Sequence, residues 1–261
     1  MIEVEELCVT LGRRQILSDV GFTASAGAMT VIVGPNGSGK TTLLRAISGE
    51  LASTGTIRIN GRDSRALKPF ELAALRGVLP QATALSFPFT VREVVGLGLN
   101  GASARLPPEE VRRLPEEALR RVDLAGFAGR FYQELSGGEQ QRVQLARVLC
   151  QVWAPIADGE PRWLFLDEPV SSLDIRHQLV IMRLAAQFAA AGGGVLAVLH
   201  DLNLTAMFAD KVVMMHDGRA RAIGSPAEVM IDDLLEDVFE CRLGVGVVPP
   251  GPFVLPQSAA R

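Results

Sequence analysis

A glycine-rich segment near the start of the chain, residues 34–42 with the sequence GPNGSGKTT, most constrains the fold. It follows the apolar residues 30–33 (TVIV) and precedes residues 42–48, whose apolar spacing is that of a helix. The same alternation of apolar run, turn and helical run recurs at residues 163–191 and 195–208. Such alternation is typical of a parallel sheet with helices on its faces. The sequence therefore predicts an α/β fold.

The same segment fits the pattern GxxxxGK[ST], which is a phosphate-binding loop when it lies between a strand and a helix. Glycines let successive N–H groups converge on an oxyanion, and the start of the next helix adds positive potential. Lys40 is expected to reach the β- and γ-phosphates of a nucleotide, and the Thr41 hydroxyl is expected to bind Mg²⁺. The candidate nucleotide-binding residues of this loop are Gly34, Pro35, Asn36, Gly37, Ser38, Gly39, Lys40, Thr41 and Thr42.

Two adjacent carboxylates, Asp167 and Glu168, follow a second apolar run at residues 163–166 (WLFL). Ligands of an open parallel sheet bind at the carboxyl ends of its strands. Asp167 is expected to hold Mg²⁺ through water. Glu168, directed the other way by the pleat of the strand, is expected to orient or deprotonate an attacking water. An apolar strand that ends in two acids is common by itself, but beside the phosphate-binding loop it indicates nucleotide hydrolysis.

Residues 135–142 (LSGGEQQR) start a helix after a turn. This segment resembles the LSGGQ signature of the ABC ATPase family, with Glu139 where the first glutamine is commoner. The resemblance implies that Ser136, Gly137 and Gly138 contact the γ-phosphate of an ATP held by a second copy of the chain. It also implies that Mg²⁺ and ATP are the cofactor and substrate, and that hydrolysis requires a homodimer.

The resemblance assigns further residues by their local context. It implies that Gln81, in VLPQ, senses Mg²⁺ and a membrane partner, and that His200, in VLAVLHD, contacts the γ-phosphate. It implies that Asp174, in SSLD, belongs to a loop that crosses the dimer interface. His177 and His216 have no such context and are expected to be ordinary surface or packing residues.

The family commonly stacks an aromatic residue on adenine near the end of the first strand, but this chain reads VTLGRR at residues 9–14. We expect Leu11 or Arg13 to cover the base instead, by apolar or cation–π contact. The preference for ATP over GTP therefore depends on the resemblance.

The resemblance covers nearly the whole chain and implies a P-loop NTPase fold of the ABC ATPase type in a single nucleotide-binding domain. A RecA-like parallel-sheet lobe is expected at residues 1–89 and 159–261, with an antiparallel β region beside it. A helical subdomain is expected to be inserted at residues 90–158.

Composition excludes several classes of protein. No run approaches the roughly 18 to 20 apolar residues that cross a bilayer, and the first residues do not have the pattern of a signal peptide. The three cysteines have neither disulfide-framework nor zinc-site spacing. A net charge of −3 without a basic block argues against nucleic acid as a partner. We expect a cytoplasmic or peripheral protein.

Within the family, the chain is most similar to importers of iron complexes and vitamin B12, and to their haem-importing branch. The stretches that carry this similarity are residues 79–93, 151–162 and 200–204. The resemblance implies a separate membrane permease, a periplasmic haem-binding protein that delivers the cargo, and a place at the cytoplasmic face of the inner membrane. Phe87, Pro88 and Phe89 are either exposed residues that dock the permease or plain core residues.

Two alternatives stay open at this point. The first is import of a ferric siderophore or vitamin B12 instead of haem. The second belongs to another class: a soluble ABC ATPase that acts as a scaffold or assembly factor without a permease.

Overall fold

The computed structural model describes residues 1–81, 87–99 and 106–259 of the chain. The strands of these residues are β1 (Ile2–Leu11), β2 (Arg14–Ala24), β3 (Met29–Val33), β4 (Thr54–Ile59), β5 (Arg62–Asp63), β6 (Arg76–Leu79), β7 (Ile156–Ala157), β8 (Glu160–Pro161), β9 (Trp163–Asp167), β10 (Gly194–Val198), β11 (Lys211–His216) and β12 (Arg219–Gly224). The α-helices are α1 (Lys40–Ile47), α2 (Pro69–Leu75), α3 (Val91–Gly96), α4 (Pro108–Arg121), α5 (Gly137–Gln151), α6 (Ile175–Ala190), α7 (Leu202–Phe208), α8 (Pro226–Val229) and α9 (Asp232–Phe239).

The main sheet has the strand order β12-β11-β3-β10-β9-β6. Its strands are parallel except for β12, which pairs with β11 in antiparallel fashion at the edge. Every residue of β3, β9 and β10 is buried, which explains why these strands are continuous apolar runs. The α/β fold class predicted from the sequence is confirmed.

The carboxyl ends of four neighbouring strands meet at one edge of this sheet. Because β3, β10, β9 and β6 are parallel and adjacent, the residues that follow them lie side by side. These are Gly34 after β3, His200 shortly after β10, Glu168 after β9 and Gln81 shortly after β6. The order of the strands therefore brings together residues of which the most distant pair lies more than 160 positions apart in the sequence.

A second, antiparallel sheet has the order β2-β1-β4-β5. Its inner face packs on α1 and on one face of the main sheet in a single apolar cluster that includes Leu7, Leu43 and Phe165. Helix α1 is therefore held between the two sheets, and this fixes the loop at its start. The expected antiparallel β region is confirmed.

Helices α3, α4 and α5 pack against each other, and their apolar residues form one cluster with the opposite face of the main sheet. Leu114 and Leu119 of α4 and Val143 of α5 are buried in this cluster with Leu164 of β9. The small hairpin β7-β8 then leads back to the sheet through a turn at Asp158 and Gly159, both with positive φ. The boundary predicted between residues 158 and 159 falls in this turn.

None of the helices in the three described stretches is long and apolar enough to span a bilayer.

Candidate functional site

The loop between β3 and α1 depends on glycines at two places. Gly34 has φ 148°, and a Cβ there would lie 2.2 Å from the carbonyl oxygen of Met215. Gly39 precedes the first residue of α1 with φ 97°, and a Cβ there would lie 2.6 Å from Leu17. A side chain at either position would collide with its neighbour and strain the backbone, so these glycines are required for the tight turn.

Lys40 is the first residue of α1 and is 5% exposed. Its Nζ donates hydrogen bonds to the carbonyl oxygens of Gly34 at 2.9 Å and Pro35 at 2.8 Å. Burial lowers the pKa of Lys40, and the carboxylates of Glu168 and Asp167 oppose that shift. The Lys40 side chain therefore folds back over the loop, and its partly desolvated ammonium group lies at the concave side of the loop.

Ser38, in the same loop, has a buried hydroxyl that makes no hydrogen bond to any residue that the structure describes. Buried polar atoms without a partner are rare and usually indicate a ligand or water. The free hydroxyl, the lysine and the start of α1 together fit an anion such as a nucleotide phosphate.

Thr41 and Asp167 form the part of the site that fits Mg²⁺. The Thr41 hydroxyl donates to Asp167 Oδ1 at 3.0 Å. Burial raises the pKa of Asp167, and Glu168 raises it further, while the hydrogen bond from Thr41 lowers it. Oxygen ligands are the kind that Mg²⁺ prefers, and a cation here would compensate for the burial of the carboxylate.

Glu168 lies between Gln81 and His200. Gln81 Nε2 donates to Glu168 Oε2 at 2.9 Å, and His200 Nε2 lies 2.6 Å from Glu168 Oε1. The Glu168 side chain is 13% exposed, whereas that of His200 is 42% exposed. The structure therefore brings together three residues that the sequence analysis proposed separately, and both carboxylate oxygens of Glu168 have a partner.

The reason given above for the direction of Glu168 was wrong. Strand β9 ends at Asp167, and Glu168 has a left-handed backbone with φ 50°. The pleat therefore does not direct its side chain. Instead, the Glu168 N–H donates to the carbonyl oxygen of Val198 at 3.2 Å, and Gln141 Nε2 donates to the Glu168 carbonyl oxygen at 3.0 Å. These contacts hold a conformation that costs a non-glycine residue about 1–2 kcal/mol.

Two adjoining cavities occupy this edge of the sheet, and Thr41 lines both. The first, of 320 Å³, includes Lys40, Glu168 and His200 in its lining. The second, of 280 Å³, includes Asp167 and Gln81. Asn36, Gly37, Gly39 and Thr42 also line the first cavity.

The first cavity is also lined by Arg14 and Ile16 of β2, which the sequence analysis missed. Leu11 and Arg13, the residues expected to cover the base, are not among its lining residues. The residues that line the cavity lie a few positions further along the chain than expected, in β2. The pairing of β1 with β2 determines which side chains of this hairpin face the loop. Gln141 was also missed, although it lies within the quoted LSGGEQQR segment.

Ser136 is the N-cap of α5. Its hydroxyl accepts a hydrogen bond from the Glu139 N–H at 3.4 Å, while Glu139 Oε2 accepts from the Ser136 N–H at 2.8 Å. This capping box explains the glutamate of LSGGE, and these hydrogen bonds lower the pKa of Glu139. Ser136 and Gly137 are exposed, and the structure does not bring Ser136, Gly137 or Gly138 into the lining of either cavity of their own chain.

The loop 171–174 packs between Glu168 and the start of α5. Ser171 Oγ donates to the carbonyl oxygen of Glu168 at 3.2 Å. A Cβ at Gly138 would lie 3.2 Å from the carbonyl oxygen of Ser172 and 3.0 Å from Leu173, so the loop and the first turn of α5 approach closely. Asp174 caps α6 by accepting from the His177 N–H at 2.9 Å, and hydrogen bonds from His177 lower the pKa of Asp174.

Comparison with known proteins identifies the class. The model of the ABC transporter family matches residues 17–171, a span that contains the loop after β3, the 135–142 segment and both acids after β9. The chain belongs to the ABC transporter family.

Individual relatives are similar over their full length. The chain is 64% identical to a hemin import ATP-binding protein of Mesorhizobium japonicum, with 99% of each chain covered. It is also 64% identical to a protein of the same name from Rhizobium meliloti, again with 99% of each covered.

Solved structures agree on the fold. A dimeric bacterial ABC transporter cassette is 28% identical, with 87% of this chain and 99% of that chain covered and a TM-score of 0.76. The ATP-binding subunit of an ABC transporter is 26% identical, with 93% and 94% covered and a TM-score of 0.76. The P-loop NTPase fold of the ABC ATPase type, expected from the resemblance, is confirmed.

Proposed function

We propose that this chain is the ATP-hydrolysing subunit of a haem importer. The observation that carries the proposal is identity of 64% over the full length to two proteins named as hemin import ATP-binding proteins. The edge of the sheet supplies what such a subunit needs: a phosphate-binding loop, a buried lysine, and a carboxylate held between a glutamine and a histidine.

The loop from Gly34 to Thr42 holds the phosphates of ATP through its N–H groups, and Lys40 neutralises their charge. To do so, Lys40 Nζ exchanges its carbonyl partners, Gly34 and Pro35, for phosphate oxygens. The free Ser38 hydroxyl gives the loop one more donor.

Thr41, Asp167 and Gln81 hold Mg²⁺ in this proposal, Asp167 through water. When bound, the ion neutralises charge on the phosphates and fixes their position. Burial of Asp167 and its contact with Thr41 support this assignment, because a buried carboxylate needs a positive partner.

Glu168 is the general base. It accepts a proton from the water whose oxygen attacks the γ-phosphorus, while the bond to the bridging oxygen breaks and ADP leaves with the electron pair. His200 and Gln81 orient the Glu168 carboxylate, and His200 also binds the γ-phosphate. The proton then passes to the phosphate product or to solvent.

The working unit is a homodimer. Ser136, Gly137 and Gly138 line neither of the two site cavities of their own chain. Ser136 and Gly137 are exposed at the start of α5, where N–H groups and the helix dipole attract an anion. The three residues bind the γ-phosphate held by the partner, and Asp174 lies at the same interface. Closure of the two chains then drives the permease.

The helical subdomain at residues 90–158, inserted in the lobe formed by residues 1–89 and 159–261, carries the signature residues to this interface. The chain acts at the cytoplasmic face of the inner membrane, bound to a permease dimer. A periplasmic haem-binding protein delivers haem to that permease.

Phe87 supports a docking face for the permease. Its side chain is 68% exposed, whereas Phe89 packs against the core. The rings of Phe87 and Phe89 are in edge-to-face contact with centroids 6.3 Å apart, so the exposed ring has a fixed support. Phe87 and Pro88 are therefore exposed, whereas Phe89 is half-buried against the core. Leu85 and Ser86, which belong to the same stretch of residues 79–93, lie outside the described residues.

The test is ATPase activity in liposomes that contain the chain and its co-expressed permease, measured with and without haem-loaded binding protein. We expect haem-loaded protein to stimulate hydrolysis, and ferric-siderophore or cobalamin loads to leave the rate at its basal level. Stimulation by one of the other loads would identify that load, and not haem, as the cargo. If no permease co-purified and no load changed the rate, the importer function would be wrong, and a soluble scaffold would be the alternative.

A further inference from the structure

We infer that His177 is a positioning residue that ties the loop 171–174 to the helical insertion, so that this loop and the signature helix α5 of one chain move together. The inference rests on the proposed function, because both elements act on the nucleotide of a partner copy.

His177 lies in the first turn of α6 between two carboxylates from different parts of the fold. Its Nδ1 is 2.9 Å from both Oδ1 and Oδ2 of Asp174, which ends the loop 171–174. Its Nε2 is 3.5 Å from Oδ2 of Asp123, which follows α4 in the helical insertion. The His177 side chain is only 17% exposed, so the ring is held in place and does not simply extend into solvent.

The Asp123 turn is joined in turn to the signature helix. Arg142 of α5 is 7% exposed, and its Nη1 donates to the carbonyl oxygens of Val122 at 3.0 Å and Asp123 at 2.9 Å. Asp123 itself has a left-handed backbone with φ 58°, a conformation that aspartate and asparagine tolerate better than most residues. A continuous chain of polar contacts therefore runs from α5 through Asp123 and His177 to Asp174.

Both ring nitrogens of His177 face a carboxylate, Nδ1 that of Asp174 and Nε2 that of Asp123. The charged groups that face this ring are Asp174 and Asp123, together with Arg176, whose Nη2 donates to Asp123 Oδ2 at 2.8 Å, and Arg142 behind Asp174. Asp174 and Asp123 thus hold the ring between the loop 171–174 and the helical insertion.

The first experiment compares His177→Ala with Arg176→Ala, the matched control. Both remove a contact to Asp123, but only His177 also reaches Asp174. For His177→Ala we expect kcat for ATP to fall about three- to fivefold with KM unchanged, since the phosphate-binding loop is untouched. Arg176→Ala should change kcat by less than about twofold. Equal losses of kcat in both variants, or a rise in KM without a fall in kcat for His177→Ala, would overturn the inference.

A second variant, Asp123→Asn, tests the same contact in case His177→Ala does not fold. Asparagine keeps the left-handed turn and the carbonyl bonded by Arg142 but removes the charge that faces His177. We expect the same loss of kcat, and no further loss in the double variant with His177→Ala. Losses that multiply in the double variant would show that the two residues act independently.

ATP-dependent dimerisation separates this inference from the proposed function. In a Glu168→Gln background the chain should form an ATP-bound dimer, and adding His177→Ala should raise the protein concentration needed for dimerisation at saturating ATP about three- to fivefold. If Glu168→Gln forms the dimer and His177→Ala does not change it, the role of His177 is overturned while the proposed function is not. Absence of any dimer with Glu168→Gln would overturn both proposals.

Discussion

At the scale of single residues, the site depends on a few side chains held in unusual states. Glu168 has a left-handed backbone and two partners for its carboxylate, and Lys40 is a buried cation bonded to carbonyl oxygens. Both states cost free energy in the isolated chain, and strain of this kind is concentrated at functional sites.

Glu168→Gln should abolish most of the hydrolysis and leave ATP binding intact. Glutamine has the size of glutamate and keeps a hydrogen bond to Gln81 or His200, but it cannot accept the proton from water. We expect kcat to fall by about 10² to 10⁴, measured as phosphate release, with the affinity for a fluorescent ATP analogue unchanged. Hydrolysis at the wild-type rate would show that another group is the base.

Lys40→Ala should weaken nucleotide binding itself. The chain offers a matched control in Lys68→Ala, since Lys68 is exposed on the N-terminal side of α2, away from both site cavities. Removal of Lys40 takes away the only loop cation that can neutralise the β- and γ-phosphates, so we expect the dissociation constant for ATP to rise at least tenfold. Calorimetric titration measures this directly, and equal affinities of the two variants would contradict the phosphate role of Lys40.

At the scale of elements, the start of α5 combines structural and functional roles. Ser136 both caps the helix and presents its hydroxyl at the surface, while Glu139 completes the capping box. The glutamate that departs from the commoner signature is therefore explained by helix capping within this chain. A Cβ at Gly138 would lie 3.0 Å from Leu173 and 3.2 Å from the carbonyl oxygen of Ser172, so a larger residue would press on the loop 171–174 in the absence of any nucleotide.

Glu139→Ala should lower the free energy of unfolding by about 0.5–1 kcal/mol at pH 7, the usual size of a lost capping interaction. Because the folded pKa of Glu139 lies below its ordinary value of 4.5, the charged carboxylate stabilises the fold above that pH. The contribution is lost as the pH falls through the folded pKa. Urea unfolding of both proteins at pH 7 and at pH 3 measures the difference, which should shrink at the lower pH. A difference that grew on acidification would contradict the sign of the shift.

At the scale of the whole molecule, the exposed positions indicate which faces need a partner. Ser136, Gly137 and Gly138 line neither of the two site cavities of their own chain, and Phe87 presents an exposed apolar ring. In the proposed function, one chain is therefore incomplete in two respects: it needs a second copy for hydrolysis and a permease for transport. Both needs arise from surfaces, which composition alone does not reveal.

Phe87→Asp should reduce co-purification of the permease without changing the fold. Burying a new carboxylate in an apolar contact is unfavourable, so we expect at least a fivefold loss of bound permease. Val248→Asp is the control, because Val248 is 74% exposed in the C-terminal segment and far along the chain from Phe87. Pull-down from detergent extracts measures both. Similar recovery of the permease with the two variants would exclude Phe87 from the docking face.

Local patterns in the sequence were sufficient to predict much of the molecule. The loop of residues 34–42, the apolar runs of β9 and β10, and the start of α5 each depend on neighbours within about ten positions, so their structure follows from short-range spacing. The two acids after an apolar run indicated Glu168, whereas Gln81 and His200 were assigned only through the resemblance to the ABC ATPase family. Local patterns could not predict the direction of Glu168, which depends on contacts with Val198 and Gln141.

What only the tertiary structure decided is which distant residues meet. The contacts of Glu168 join residues 87 and 32 positions apart, and they exist because β6, β9 and β10 are adjacent in the sheet. Arg14 and Ile16 line the site because β1 and β2 pair in one register, and His177 links two parts of the fold because Asp123 lies beside α6. Strand order and register are set by long-range packing of apolar faces, and this information is distributed over the whole chain, so no single motif contains it.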